Sequence, residues 1–296
     1  EFRPKQSLGQ NFLSDQNHVM KLVNMLHDES EAGHRVVELG PGPGALTRKL
    51  FEKYPKMTAV EIDQRAVAFL GEKLPGLRVI HKDVLACNWA EMAEERGGPL
   101  SIIGNLPFYI TSQILFSMAD CHTSVDHAVV TMQYEVGERI VAKPRTKAYG
   151  ILSVVFQLYG TPSLDFKIPS SVFFPPPKID ACCVSIDFTQ PHPDLNTVDQ
   201  LLLRRIVTAA FGKRRKMMRQ SLKELLKEQE KVMPDAWATK RPEELKPAEF
   251  IALTADIFGP KSDQTGGEGG TGGNAYVWRK VPSESRGRPD LAGTPE

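Results

Sequence analysis

The sequence has few of the residues from which metal and redox sites are usually built. Only 4 of its 296 residues are cysteines, and none lies in a C-x-x-C pair. Its 7 histidines form no H-E-x-x-H or similar spacing, so we predict no metal site. Cys182 and Cys183 are adjacent in an apolar run. They are therefore expected on opposite faces of a strand, as buried reduced thiols.

Long apolar runs are also missing. No stretch approaches the ~18 apolar residues that a membrane span needs, so we expect no membrane partner. Residue 1 is not Met, and the segment 261–296 is rich in glycine, which predicts a disordered tail. Together these features favour a processed organelle protein (mitochondrion or plastid) over a bacterial-type cytoplasmic one.

The net charge is only +1, but it is unevenly distributed. Between Arg204 and Lys227 there are nine basic residues and a single acidic one, Glu224. A run of charge is usually a solvated helix face, whereas one-sided charge of this size fits a polyanion. Phosphate-binding candidates within it are Lys213, Arg214, Arg215, Lys216 and Arg219.

Strand and helix patterns alternate along the first two thirds of the chain, which predicts an α/β fold with a mainly parallel sheet. Apolar runs predict strands at residues 35–39, 57–62, 77–81, 100–104, 127–132, 154–159 and 181–188. Helical spacing predicts helices after Ser14-Asp15, at 45–54 and at 64–74. Beyond residue 190 only helical patterns occur. We therefore predict a sheet domain at 1–190, a small all-α domain at 191–260 and the tail.

The strand at 35–39 runs into Gly40-Pro41-Gly42-Pro43-Gly44. A strand, a glycine turn and a helix are typical of a nucleotide-binding crevice, although a plain tight turn has the same sequence. Glu61 ends the next strand about 20 residues later, where a carboxylate can accept both ribose hydroxyls. Asp83 follows the third strand and can accept from an adenine amine. An NAD enzyme would share the glycines and Glu61, but not the next motif.

Asn105-Leu106-Pro107-Phe108 follows the fourth strand. An adenine N6 amine is a poor nucleophile because its lone pair is delocalised into the ring. The Asn105 side-chain oxygen and the Leu106 carbonyl can accept its hydrogens and so favour a pyramidal nitrogen. Pro107 stiffens the turn, and Phe108 offers a flat face for a flipped base. The pattern predicts methyl transfer to adenine N6.

These motifs, in this order, resemble the ribosomal RNA adenine dimethyltransferases (KsgA type), which include mitochondrial and plastid members. The matching segments are 7–13, 37–44, 61–63, 82–84, 104–108, 147–150, 173–180 and 211–216. The resemblance implies a Rossmann-like class I methyltransferase domain that uses S-adenosyl-L-methionine.

The resemblance also implies that six residues contact the cofactor: Asn11, Leu13, Gly40, Glu61, Asp83 and Asn105. Glu38 would support its methionine end, and Gly42 belongs to the same glycine turn. Phe173 or Phe174 would lie near the target base. Phe108 stands where many relatives carry Tyr.

The expected substrate is small-subunit rRNA, free or in an assembling subunit, methylated by a monomeric enzyme on adjacent adenosines near its 3′ end. One alternative is a nucleic-acid-binding protein similar to mitochondrial transcription factor B on the same scaffold. Loss of the glycine turn, Glu61 or Asn105 would favour it, and all are present. A DNA adenine methyltransferase is a second alternative, but those enzymes typically carry Asp-Pro-Pro or Asn-Pro-Pro.

Overall fold

A computed structural model describes residues 9–261. Its centre is a seven-stranded sheet, in which the five strands β2 to β6 run parallel in the order β4-β3-β2-β5-β6. Antiparallel β9 and β7 complete the β6 edge, while β1 and β8 form a separate antiparallel pair. The strands are β1 Phe12–Leu13, β2 Val36–Leu39, β3 Thr58–Glu61, β4 Arg78–His81, β5 Leu100–Gly104, β6 Val125–Gln133, β7 Thr161–Ile168, β8 Phe173–Phe174 and β9 Ala181–Asp187.

Helices cover the sheet and make up the C-terminal part of the described chain. The helices are α1 Gln16–Met25, α2 Thr47–Lys53, α3 Gln64–Lys73, α4 Trp89–Glu95, α5 Phe108–Asp120, α6 Tyr134–Ile140, α7 Ile151–Tyr159, α8 Gln200–Gly212, α9 Met218–Ser221, α10 Lys223–Glu228, α11 Asp235–Ala238 and α12 Pro247–Phe258. Asp15 caps α1 by accepting from the His18 backbone N–H at 2.8 Å. Among residues 9–261, no helix is both long enough and apolar enough to cross a membrane.

The predicted Rossmann-like order of strands and helices is confirmed, with one error. Residues 154–159 were expected to form a strand, but they belong to helix α7. The β-branched run in this segment favours a strand by propensity. In α7, however, Val154, Phe156 and Tyr159 are all buried between the sheet and the C-terminal helices. Within residues 154–159 only Gln157 is polar, so this short segment shows no helical period and its sequence looks like a buried strand. The true strand, β7, follows directly.

The predicted change of architecture near residue 190 falls between β9 and α8. The C-terminal helices nonetheless share one apolar core with the sheet, through α7 and α8. Arg204 of α8 is buried, forms an ion pair with Asp120 and donates from Nε to the Tyr159 hydroxyl at 3.1 Å. A functional division into two domains therefore stays a prediction. The glycine-rich tail and Ser7-Leu8 lie outside the described residues.

The two adjacent cysteines are placed as predicted. Cys182 belongs to the apolar cluster on one face of the sheet, and Cys183 to the cluster on the other. Both are free and buried. This alternation also shows that the register of β9 against β6 follows the apolar pattern.

Candidate active site

One cavity opens at the carboxyl ends of β2, β3, β4 and β5, where the topology of a parallel sheet places its ligand crevice. The N-terminal segment before α1 closes it from the side. The structure brings all eight predicted cofactor-binding residues into its lining. They are Asn11, Leu13, Glu38, Gly40, Gly42, Glu61, Asp83 and Asn105.

The glycine turn has the backbone conformation that its sequence predicts. Gly40 and Gly42 have φ values of 63° and 53°, which side chains with a Cβ rarely adopt. A Cβ on Gly42 would lie 2.8 Å from the Phe12 ring. Glycine is therefore required both by the turn and by the close approach of the N-terminal segment.

Glu61 connects this turn to the end of β3. Its Oε2 accepts from the Gly42 N–H at 2.9 Å, and its Oε1 accepts from the Asp63 N–H at 2.8 Å. Each carboxylate oxygen has a second lone pair, so Glu61 can hold the turn and still accept two hydroxyls. At the end of β4, Asp83 uses Oδ1 to accept from the Leu85 N–H at 2.9 Å. Its Oδ2 accepts no hydrogen bond from residues 9–261 and is therefore left for a ligand.

Glu38 lies at the floor of the cavity and is almost completely buried. Its Oε2 has no hydrogen-bond partner among the described residues. Burial raises the pKa of Glu38 to about 8; the Thr47 hydroxyl lowers it, and the Glu61 charge adds to the rise. A buried acceptor without a partner is uncommon and indicates a place for a ligand group.

The Asn105 carboxamide is held between two other segments of the chain. Its Nδ2 donates to the Asn11 carbonyl at 3.0 Å, and its Oδ1 accepts from the Thr131 hydroxyl at 2.6 Å. Asn11 in turn donates from Nδ2 to the Pro175 carbonyl at 2.7 Å, at the start of the proline-rich loop. Sequence reasoning missed Thr131, because only the pairing of β5 with β6 brings it to Asn105.

The rest of the Asn105–Phe108 motif divides between two environments. Leu106 and Pro107 line the cavity. Phe108 does not line it; the ring is half-buried against the apolar cluster that contains Leu13 and Phe173. Tyr109, which the sequence analysis did not select, lines the cavity with 66% of its surface exposed. Its position directly after the motif was the only signal available.

Phe173 and Phe174 differ sharply in exposure. Phe173 is 3% exposed and pairs with Leu13 through β8 and β1. It is therefore a core residue, contrary to the expectation that it could contact RNA. Alternation along the strand turns Phe174 outwards, and it is 61% exposed. Of these two rings, only Phe174 therefore remains a candidate contact for the target base.

The basic residues between Arg204 and Lys227 also differ in their surroundings: some are paired within the chain, and others are exposed. Arg214 forms an ion pair with Glu243 and donates to the carbonyls of Thr146 and Lys147 at 2.7 Å and 2.5 Å. It ties α8 to the loop before α7, which corrects its assignment as a phosphate contact. Six other basic residues in this stretch are exposed and lack an acidic partner among residues 9–261. We call them the basic surface: Lys213, Arg215, Lys216, Arg219, Lys223 and Lys227.

The chain is similar to known proteins over most of its length. The sequence model of the family described as "Ribosomal RNA adenine dimethylase" matches residues 1–253. "Ribosomal RNA small subunit methyltransferase A" of Salinibacter ruber is 49% identical over 259 residues, covering 86% of each chain. The protein of the same name from Prosthecochloris aestuarii is 39% identical over 225 residues, covering 76% of this chain and 83% of its own length.

Two solved structures share the fold. A dimethyladenosine transferase from Plasmodium falciparum superposes with a TM-score of 0.65 at 19% identity, covering 83% of this chain and 96% of its own. The 23S rRNA methyltransferase ErmE superposes with a TM-score of 0.58 at 24% identity, covering 82% of this chain and 99% of its own. At these identities the likeness bears on the fold alone.

Proposed function

The chain belongs to the ribosomal RNA adenine dimethylase family, and on this premise we propose that it dimethylates adenine N6 in small-subunit rRNA. S-Adenosyl-L-methionine is the methyl donor, and the targets are adjacent adenosines near the 3′ end. One observation carries the proposal. A single cavity joins a turn and two carboxylates suited to the donor to an asparagine suited to the acceptor amine.

The residues present fit this cofactor. The open backbone of Gly40 and Gly42 allows close approach, and Glu61 has unused lone pairs for ribose hydroxyls. Asp83 can accept from the adenine amine. The buried, unpartnered Oε2 of Glu38 suits the cationic methionine end. When bound, the cofactor supplies an electrophilic methyl group on a positively charged sulfur.

The chain's own contribution to the reaction is mainly positioning. Asn105 Oδ1 and the Leu106 carbonyl accept the N6 hydrogens, which directs the nitrogen lone pair towards the donor. No general base is needed before transfer, since the cationic product loses its proton readily. Phe108 and the exposed Phe174 are proposed to contact the base. The basic surface would hold phosphates, with selection left largely to the folded RNA.

The proposed substrate is small-subunit rRNA, either free or within an assembling subunit, and the enzyme is proposed to act as a monomer. The two sequence relatives, from Salinibacter ruber and Prosthecochloris aestuarii, are bacterial, which gives no support to the expected organelle location. The transcription-factor alternative is not favoured, because the relatives are named methyltransferases and the glycine turn, Glu61 and Asn105 are all in place.

The test is methyl transfer from labelled cofactor to immature small subunits, with mass spectrometry of the digested nucleosides. The expected product is N6,N6-dimethyladenosine, and Asn105→Ala should nearly abolish it while RNA still binds. Asn88→Ala, which removes the exposed cap of α4, is the matched control and should stay active. Full dimethylation by Asn105→Ala would refute the mechanism. Absence of product from the unmodified enzyme would refute the function.

A further inference from the structure

Strand β6, an interior strand of the sheet, carries one hydroxyl in an otherwise apolar stretch. Thr131 is completely buried and follows Val129 and Val130, which are also buried. A buried hydroxyl is costly without a hydrogen-bond partner. Its partner is the Oδ1 of Asn105, 2.6 Å away.

The sheet register makes this contact. Gly104 pairs with Val130 in the parallel ladder of β5 and β6, so Thr131 lies beside Asn105 one step further along. Strand β6 is held on both sides, by β5 and by β9. A β-branched side chain on such a strand has little rotational freedom. The hydroxyl is thus fixed in place before any substrate arrives.

The hydrogen bonds also settle which way the Asn105 carboxamide points. The Asn11 carbonyl can only accept, so the group 3.0 Å from it must be the NH2 of Asn105. The Oδ1 atom then faces Thr131, whose hydroxyl must act as the donor. A reversed amide would put its NH2 beside Thr131 and its oxygen against the Asn11 carbonyl, which is unfavourable.

We propose that Thr131 is a positioning residue for methyl transfer, fixing the Asn105 carboxamide with its oxygen available to the target amine. This rests on the proposed function of Asn105. With one lone pair of Oδ1 bound to Thr131, the other accepts an N6 hydrogen. The Asn11 carbonyl restrains the amide from the opposite side, but as a backbone group it survives any side-chain substitution.

The second methyl transfer depends on this orientation more than the first. An unmodified N6 amine offers two hydrogens, to Asn105 and to the Leu106 carbonyl. The monomethylated amine offers only one. A loosely held carboxamide therefore aligns the monomethylated amine less well, and the intermediate is released before the second transfer.

The experiment compares Thr131→Val, which keeps the shape and removes the hydroxyl, with Thr131→Ser, which keeps the hydroxyl. Thr131→Cys, similar in volume but only a weak donor, is a second test should the valine variant unfold. Thr58→Val is the matched control. Thr58 is also completely buried on a strand, and its hydroxyl has no partner among residues 9–261. Each variant is measured by single-turnover methylation of immature subunits, by its affinities for those subunits and for S-adenosylhomocysteine, and by thermal unfolding.

Thr131→Val is expected to lower the single-turnover rate about tenfold, equivalent to about 1.4 kcal/mol. Its affinities for subunits and S-adenosylhomocysteine should stay within about threefold. The ratio of N6-methyl to N6,N6-dimethyl adenosine should rise. Thr131→Cys should behave similarly, and Thr131→Ser should recover most of the rate. Thr58→Val should match the unmodified enzyme.

A full rate and an unchanged product ratio in Thr131→Val or Thr131→Cys would overturn the proposal. So would a serine variant as slow as the valine variant, since packing rather than the hydroxyl would then matter. Failure of the proposed function looks different. It would show as no dimethyladenosine from the unmodified enzyme, or as full activity of Asn105→Ala.

Discussion

Removing the carboxylate of Glu61 should weaken cofactor binding for two separable reasons. Its oxygens accept the backbone N–H groups of Gly42 and Asp63, at 2.9 Å and 2.8 Å, and so hold the glycine turn in shape. Their remaining lone pairs are the proposed acceptors for two ribose hydroxyls. Glu61→Ala removes both contributions at once. Glu61→Gln is not a neutral replacement either, because its NH2 would face a backbone donor.

The expected size follows from the burial of the group. Glu61 is only 4% exposed, so water replaces the lost acceptor poorly. Loss of charged hydrogen bonds at such a site costs about 1–3 kcal/mol. That corresponds to a Kd for S-adenosylmethionine raised from about fivefold to about 150-fold. Glu52→Ala, which removes an exposed carboxylate from α2, should leave the Kd unchanged.

Calorimetry with two ligands separates the contributions. S-Adenosylhomocysteine carries the ribose hydroxyls, and its 2′,3′-dideoxy analogue does not. If Glu61 accepts from the hydroxyls, the substitution weakens the first ligand much more than the second. Equal losses would show that Glu61 acts only through the turn. An unchanged Kd for S-adenosylhomocysteine would refute the reasoning and put the cofactor elsewhere.

Three further predictions concern charge and stacking. Because the folded-state pKa of Glu38 is raised from 4.5 to about 8, its contribution to stability is complete below pH 4.5 and is lost as the pH rises through 8. Glu38→Gln should flatten this fall in unfolding temperatures measured at a series of pH values. Alanine at Lys213, Arg215, Lys216 and Arg219 of the basic surface should lower the affinity for RNA and make that affinity less dependent on salt concentration, as measured in binding titrations. Arg214→Ala should instead lower the unfolding temperature and leave the salt slope intact. Phe108→Tyr should methylate normally, whereas Phe108→Ala should lose about 1–3 kcal/mol of stacking and release monomethylated adenine, measured by nucleoside mass spectrometry.

The cofactor crevice could be predicted because its residues sit at strand ends. Parallel strands finish at one edge of the sheet, so Gly40, Glu61, Asp83 and Asn105 had to meet once the strands were recognised. No distance between them was needed for that conclusion. The hydrogen bonds within the crevice, such as Glu61 to the Gly42 N–H, were not predictable from strand order alone.

The errors arose where the sequence pattern has two readings. A short apolar segment with a single polar residue looks like a buried strand, as in residues 154–159 of α7. Alternation along a strand turns one of Phe173 and Phe174 inwards and the other outwards. The sequence does not say which of the two rings is buried. Arg214 looks like its basic neighbours until Glu243, which is distant in the chain, is brought beside it. Each case depends on tertiary contacts that a local pattern does not contain.

The hydrogen bonds around Asn105 link four segments that are distant in the chain. Thr131 of β6 donates to Asn105 after β5, Asn105 donates to the Asn11 carbonyl, and Asn11 donates to the Pro175 carbonyl. Asn11 was expected to contact the cofactor, but its NH2 is already committed to the proline-rich loop, leaving Oδ1 for a ligand. The N-terminal segment therefore couples the cofactor cavity to the loop that carries the exposed Phe174. The N-terminal segment must therefore be ordered for either part of the site to be held in place, because Asn11 accepts from the Asn105 amide and donates to the proline-rich loop. Strand β5 alone holds neither of them.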